Sequence, residues 1–351
     1  MGMTRLLVLA AIVAWSALVP ATPATAQVVT GAGSTLAQPL LARWSQAYLR
    51  SQRDAEYQPV AAGLDYEPIG SQAGMMRVRE RGVDFGATEQ PLSGEEIARY
   101  GVIQFPIAVG GIVAAVNLEG VEASQLRLTG ELLADIYGGK VSAWNDPAIA
   151  ALNPQLRLPA APITTVHRSD GSGTTAIVTA YLSQHSSTWR KAVGEGLTVA
   201  WPTGMAAKGN EGVAEAVRRT PNAIGYMDYA SARRAGLAAA GLRNRDGQFV
   251  APGPASFQAA AAAADWSSAR DFVVRLVDVP GEAAYPLVAT TYAIMPREGG
   301  AAAGRRAALA FFSWALDHGG GVAAELGYVP LPASVAAQVR AYWPTVLSDA
   351  R

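Results

Sequence analysis

The sequence predicts a folded α/β protein of about two domains, and three observations support this prediction. Short runs of β-branched residues alternate with amphipathic helical patterns, which is typical of α/β proteins with largely parallel sheets. Hydrophobic residues make up 50% of the 351-residue chain, which is enough for a sizeable core. At roughly 150 residues per domain the length predicts about two domains. No stretch has the composition of a linker, so we expect the two domains to interleave along the chain.

The predicted elements follow in order from these patterns. Strands are predicted at runs rich in β-branched residues, namely Gln27–Thr30, Val83–Ala87, Val102–Gln104, Gly111–Val116, Ile163–His167 and Ala223–Met227. Helices are predicted where apolar residues recur with helical spacing, namely Leu36–Leu49, Thr129–Tyr137, Thr174–His185, Gly212–Arg219 and Ala301–Asp317. In the first helix the apolar residues recur every four positions, at Leu36, Leu40, Trp44 and Tyr48. This stripe is expected to face the core.

Residues 1–26 have the form of a cleaved signal peptide. Arg5 gives a positive start, an apolar stretch follows from Leu6 to Val19, and Ala24-Thr25-Ala26 has the small-x-small form of a cleavage site. The alternative is a membrane anchor, but the apolar stretch is short and small residues follow it instead of basic ones. We therefore expect export to the periplasm or the cell exterior, and a mature chain that begins at Gln27.

Composition excludes several classes of function. Lys and Arg number 28 and Asp and Glu number 28, so the formal net charge is 0 and a polyelectrolyte surface for nucleic acid is absent. The chain has no cysteine, which excludes disulfides, thiol catalysis and cysteine-based metal sites. The histidines at positions 167, 185 and 318 are too scattered for a spaced metal motif. We expect neither a nucleic-acid partner nor a metal.

Glycine stands beside Ser or Thr before a predicted helix at three places: Thr30–Thr35, Pro68–Gly74 and Arg168–Thr175. A helix start carries unpaired N–H groups and about half a positive charge. Glycine lets the backbone approach a ligand, and the hydroxyl adds a donor. Each turn alone is compatible with an ordinary helix cap. Together the three turns indicate an anion site built mostly from neutral dipoles.

These turns do not match the common nucleotide or hydrolase motifs. Gly31-Ala32-Gly33 lacks the third glycine of a dinucleotide fingerprint, and no Lys follows the glycines as in a P-loop. The Gly-x-Ser-x-Gly nucleophile motif is absent around Ser172.

Four further stretches carry the same resemblance as the turns, namely Val83–Ser93, Lys208–Gly212, Ala223–Tyr226 and Gly327–Pro332. With Asp170-Gly171-Ser172-Gly173-Thr174 after Arg168, they resemble the phosphate-binding proteins of bacterial phosphate ABC transporters. The resemblance runs from about Val28 to about Trp343.

The resemblance implies a periplasmic binding protein fold, with two α/β lobes around a ligand cleft. Residues 27–116 and 288–351 would form lobe I, and residues 117–287 would form lobe II. It also implies that the protein binds inorganic phosphate in the periplasm and delivers it to an ABC transporter permease in the inner membrane. A monomer without cofactor or catalytic activity is expected.

The resemblance assigns ligand contacts to eight residues, namely Thr35, Leu36, Ser71, Glu89, Arg168, Ser172, Gly173 and Thr174. Arg168 would be the cationic contact, held in place by Asp170. The family has Asp where this chain has Glu89, and usually Phe where it has Leu36. Glu89 would accept the proton that hydrogen phosphate carries and sulfate lacks, although its extra methylene adds about 1.5 Å of reach. A solvated loop acid is the alternative for Glu89.

Three other functions stay open at this point. The ligand could be another oxyanion, and arsenate, unlike sulfate, carries a proton as phosphate does. A secreted phosphatase or serine hydrolase would need a base beside Ser172 or a metal cluster, and His167 is the nearest candidate base in sequence. A surface or matrix protein could keep the fold without binding any oxyanion.

Overall fold

The computed structural model describes residues 27–53, 61–266, 269–299 and 302–347. The signal peptide predicted at residues 1–26 lies outside these residues. The strands are β1 (Gln27–Gly33), β2 (Ala61–Glu67), β3 (Phe85–Thr88), β4 (Val102–Val116), β5 (Arg127–Leu128), β6 (Thr164–Arg168), β7 (Met205–Ala207), β8 (Ala223–Asp228), β9 (Ala238–Ala239), β10 (Gly241–Arg243), β11 (Phe249–Val250) and β12 (Val288–Pro296).

Helices connect most of these strands, and a short 3₁₀ helix spans Arg270–Phe272. The α-helices are α1 (Gln38–Arg53), α2 (Ser71–Arg79), α3 (Gly94–Tyr100), α4 (Gly130–Tyr137), α5 (Pro147–Leu152), α6 (Gly173–His185), α7 (Ser187–Ala192), α8 (Gly209–Arg219), α9 (Tyr229–Arg234), α10 (Pro254–Ala262), α11 (Ala302–His318), α12 (Gly320–Glu325) and α13 (Ala333–Val346). Within the described ranges, no helix is both long enough and apolar enough to cross a membrane. The predicted α/β class is confirmed.

In the described part of the chain, most strands join one large sheet with the order β2-β1-β3-β12-β4-β8-β6-β7, and β9 also pairs with β4. A small sheet has the order β11-β10-β5. We call β2, β1, β3 and β12 the first half-sheet, and β8, β6 and β7 the second half-sheet. Strand β4 belongs to both, because it pairs with β12 from Val102 to Gly111 and with β8 from Ile112 to Val116. The lobe boundaries predicted near Asn117 and Val288 remain a prediction.

Strand β4 corrects one detail of the sequence prediction, which placed separate strands at 102–104 and 111–116. The structure has one continuous strand of 15 residues, buried throughout, with Pro106 in its interior. Pro106 lies opposite Tyr292, next to a register shift between Thr291 and Tyr292. Because proline has no N–H, it is tolerated in a strand at such an irregularity.

The prediction of largely parallel sheets is right only for the outer strands. β1 is parallel to β2 and β3, and β6 is parallel to β7 and β8. The central strands β4 and β12 run antiparallel to their neighbours. The turns before α1, α6 and α8 therefore follow the carboxyl ends of β1, β6 and β7. Ligands of open α/β sheets bind outside the carboxyl ends of the strands.

The apolar stripe predicted for the first helix is buried. Leu36 and Leu40 are fully buried, and Trp44 and Tyr48 are 2% exposed. The Trp44 indole Nε1 donates to the carbonyl oxygen of Gly319 at 2.9 Å. The Tyr48 ring packs against Phe311 and Trp314, with ring centroids 5.6 and 5.5 Å away. These contacts fix α1, and with it the turn that follows β1, against α11 and the start of α12.

Candidate anion-binding site

The turn between β1 and α1 is built around Ser34. Gly33 adopts a φ of 134°, a conformation that favours glycine. The Ser34 hydroxyl accepts the N–H groups of Leu36 and Ala37 at 3.1 and 3.2 Å. Ser34 therefore caps the turn that leads into α1. It holds the adjacent Thr35, which is also buried, at the carboxyl end of the first half-sheet.

The second turn places Ser71 at the start of α2, directly after Gly70, whose φ is 93°. Ser71 is 1% exposed. Its hydroxyl oxygen accepts the N–H group of Gly173 at 3.1 Å and lies 3.5 Å from Oε2 of Glu89. Ser71 thus contacts both Glu89, in the loop after β3, and Gly173, in the third turn.

The third turn starts α6, with Ser172 as its cap. The Ser172 hydroxyl accepts the N–H group of Thr175 at 3.3 Å, and Gly173 and Thr174 form the first turn of the helix. A Cβ added to Gly173 would lie 2.3 Å from Oε2 of Glu89, so this close approach requires glycine. The three turns singled out in the sequence do converge on one place.

Arg168, the last residue of β6, is 4% exposed and points into this place. Its Nε donates to Asp170 Oδ1 at 2.8 Å, its Nη2 donates to Asp170 Oδ2, and its Nη1 donates to Asn210 Oδ1 at 2.9 Å. Burial alone would raise the pKa of Asp170, but the hydrogen bonds and charge of Arg168 outweigh it and hold that pKa below its ordinary value. Since a guanidinium has five N–H donors, these contacts within the described residues leave one N–H on each Nη for a ligand.

Glu89 follows β3 and is 2% exposed, which excludes the solvated loop acid considered from the sequence. Its Oε1 accepts a hydrogen bond from the Ser34 hydroxyl at 2.5 Å and another from the Thr291 hydroxyl at 3.4 Å. Burial raises the pKa of Glu89 to about 7, although the Ser34 hydrogen bond and the charge of Arg168 act in the opposite direction. The longer side chain is therefore accommodated by hydroxyls on β12 and on the first turn.

Hydrogen bonds join the two half-sheets across the site. The Gln72 N–H donates to the Gly171 carbonyl oxygen at 3.1 Å, and the Asn210 N–H donates to the Thr35 hydroxyl oxygen at 3.3 Å. The residues predicted as ligand contacts lie on this network or beside it: Thr35, Leu36, Ser71, Glu89, Arg168, Ser172, Gly173 and Thr174. Their assignment as ligand contacts remains a prediction.

Two of the predicted backbone donors already have partners. The Leu36 N–H donates to the Ser34 hydroxyl, and the Gly173 N–H donates to the Ser71 hydroxyl. A ligand that used these N–H groups would displace the two hydroxyl oxygens, which could then donate to the ligand themselves.

Sequence reasoning missed three residues of the network, namely Ser34, Asn210 and Thr291. Ser34 and Asn210 lie inside motifs that were recognised, so the sequence marked their segments but not their contacts. Thr291 is 202 residues from Glu89 in the chain, and only the pairing of β12 with β3 brings it close. Nothing in the local sequence signals that contact.

The structure gives His167 and Ser172 no catalytic arrangement in the described residues. The His167 ring stacks on Trp201, with centroids 5.0 Å apart, and burial lowers the pKa of His167. Among these residues no His hydrogen-bonds Ser172, and no group of His, Asp and Glu could hold a metal ion. The base or metal that a hydrolase would need beside Ser172 is therefore not found in this part of the chain.

Comparison with known proteins shows the family of the chain. A family model described as the PBP superfamily domain matches residues 19–318. The phosphate-binding protein PstS of Xylella fastidiosa is 44% identical over 315 residues, which cover 90% of this chain and 84% of that protein. PstS of Haemophilus influenzae is 41% identical over 326 residues, covering 93% of this chain and 95% of that protein.

A solved structure supports the fold. The crystal structure of a phosphate-binding protein from Stenotrophomonas maltophilia superimposes with a TM-score of 0.65 at 18% identity, covering 90% of this chain and 94% of that chain. The chain belongs to the PBP superfamily and, within it, to the PstS family of phosphate-binding proteins.

Proposed function

We propose that the protein binds inorganic phosphate in the periplasm and delivers it to the permease of an ABC transporter in the inner membrane. Residues 1–26 would be removed on export, and the mature protein would act as a monomer, without cofactor or catalysis. The observation that carries this proposal is a buried arginine with two free N–H groups beside a buried carboxylate, at the starts of three helices.

The site would bind an oxyanion although the site itself carries little net positive charge. The two remaining N–H groups of Arg168 would each donate to one phosphate oxygen. The hydroxyls of Thr35, Ser71, Ser172 and Thr174 and the N–H groups of the helix starts would supply neutral donors. Because the site is enclosed, each hydrogen bond to a charged oxygen would contribute about 1.5–3 kcal/mol.

Glu89 would distinguish hydrogen phosphate from sulfate. A proton shared between the ligand and the buried carboxylate satisfies both oxygens. Sulfate has no proton at neutral pH, so its oxygen would face an acceptor, at a cost of about 1–3 kcal/mol or more. Arsenate carries a proton as phosphate does, and we expect the site to accept it.

Closure of two lobes around the ligand would couple binding to transport. Lobe I would comprise residues 27–116 and 288–351, and lobe II residues 117–287. The change of partner within β4 between Gly111 and Ile112, next to Val288 on β12, supports a hinge there. Phosphate would favour the closed state by contacting turns from both sides, and the closed form would dock on the permease.

Calorimetric titration of phosphate-stripped protein at pH 7 to 8 tests the proposal. We expect tight phosphate binding, sulfate binding weaker by at least about fivefold, and no turnover of a phosphate monoester. Comparable affinities for phosphate and sulfate would contradict the role of Glu89. Turnover of the monoester that is lost in Ser172→Ala would favour a phosphatase, and failure to bind any oxyanion would favour a surface protein.

A further inference from the structure

Asn210 is a buried polar residue at the site to which the sequence motifs assign no contact. It lies in the first turn of α8, an 11-residue helix, and it is fully buried. The preceding Gly209 donates its N–H to Asp170 Oδ1 at 2.9 Å. The start of α8 is therefore a fourth helix start at the site, in addition to the three seen in the sequence.

The hydrogen bonds of Asn210 fix the orientation of its side chain. The Oδ1 atom must face Arg168, because a guanidinium has only donors, and the Nη1–Oδ1 distance is 2.9 Å. The Nδ2 amide, a donor, is then the other branch of the same planar group. This Nδ2 is buried and has no hydrogen-bond partner in the described residues. An unpaired buried donor costs about 1–3 kcal/mol, so a partner is expected.

The backbone of Asn210 connects the same position to the first half-sheet. Its N–H donates to the Thr35 hydroxyl oxygen at 3.3 Å. Because that oxygen accepts from Asn210, the Thr35 hydroxyl proton is directed elsewhere and is free to donate to a ligand. Asn210 thus contacts the cationic residue of the second half-sheet and a hydroxyl donor of the first.

We propose that Asn210 is a ligand-binding residue whose Nδ2 donates to the bound oxyanion while its Oδ1 positions Arg168. This inference rests on the proposed function, since it names a further contact of the same phosphate site. The side chain places a neutral donor beside the arginine. It also links the orientation of Arg168 to the Asn210–Thr35 contact across the site.

Asn210→Asp separates the two roles of the side chain. Aspartate is nearly isosteric and keeps an oxygen for Arg168, but it replaces the Nδ2 donor with an acceptor. We expect phosphate affinity, measured by calorimetry, to fall at least about tenfold, as for loss of a hydrogen bond to a charged group. Asn145→Asp is the matched control, because it makes the same substitution at an exposed position outside the site. We expect this control to lose less than about threefold.

A spectroscopic measurement on the wild type supplements the variant. In protein labelled with ¹⁵N, the Asn210 side-chain amide, assigned by its loss in Asn210→Asp, should shift on phosphate addition and show a coupling to ³¹P. If the wild type binds phosphate, Asn210→Asp binds it as tightly as Asn145→Asp does, and the amide does not shift, this inference alone is overturned. Absence of phosphate binding by the wild type would instead overturn the proposed function.

Discussion

Glu89→Gln should remove a pH dependence of stability that the buried carboxyl imposes on the ligand-free protein. Burial raises the pKa of Glu89 from 4.5 to about 7. Between these two values the folded protein keeps the proton while the unfolded chain loses it, so stability falls as the pH rises. The free energy of unfolding falls by about 1.4 kcal/mol per pH unit, so the loss reaches about 3 kcal/mol above pH 7 and is absent below pH 4.5. Glutamine cannot ionise, and its amide oxygen can still accept from Ser34.

The assay is thermal or urea unfolding of phosphate-stripped wild type and variant between pH 4.5 and 8. The difference in unfolding free energy, variant minus wild type, should grow by about 3 kcal/mol across this range. The entropy of unfolding is about 2.1 cal/mol/K per residue, so for a chain of this size a change of about 3 kcal/mol shifts the difference between the two melting temperatures by roughly 5 °C. Glu119→Gln, at an exposed position, is the matched control and should show no comparable trend. A difference for Glu89→Gln that stays constant from pH 4.5 to 8 would refute the argument.

Two further substitutions test the geometry of the site by calorimetry. Arg168→Lys keeps the charge but loses the fork held by Asp170, and we expect phosphate affinity to fall about 10- to 100-fold; an unchanged affinity would show that the anion binds elsewhere. Gly173→Ala places a Cβ 2.3 Å from Glu89 Oε2 and 2.8 Å from the Glu89 backbone nitrogen, so it should keep the two sides apart and weaken binding by a similar factor. Gly321→Ala, where an added Cβ meets nothing within 4 Å, should bind as the wild type, and equal affinities for the two alanine variants would contradict the close contact.

Much of the fold could be predicted from the sequence because its signals are local. The stripe of Leu36, Leu40, Trp44 and Tyr48 has helical spacing, and the structure buries it. The sequence predicts only the two ends of β4, because proline in its middle argues against a strand unless a bulge in the partner is known. That bulge depends on β12, which lies far away in the sequence. The antiparallel centre of the sheet was missed for the same reason.

The site shows the same division between local and long-range information. Glycine and hydroxyl residues at helix starts follow from local rules of capping, so Ser71, Ser172 and Gly173 could be recognised as a group. The environment of Glu89 could not, because Ser34 and Thr291 contact it from separate elements. Nor could the unpaired Nδ2 of Asn210, which is visible only once Arg168 has fixed the orientation of that side chain. The absence of net charge in the sequence is compatible with an anion site, because this site places one arginine among neutral donors.

A crystal structure of the protein with phosphate would show whether one phosphate binds between the half-sheets. We expect phosphate oxygens within about 2.7–3.2 Å of the remaining N–H groups of Arg168, of Asn210 Nδ2 and of the Thr35 and Ser71 hydroxyls, with one protonated oxygen against Glu89. Phosphate bound at any other place, or a complex in which Arg168 and Glu89 do not contact it, would show that the proposed site is wrong.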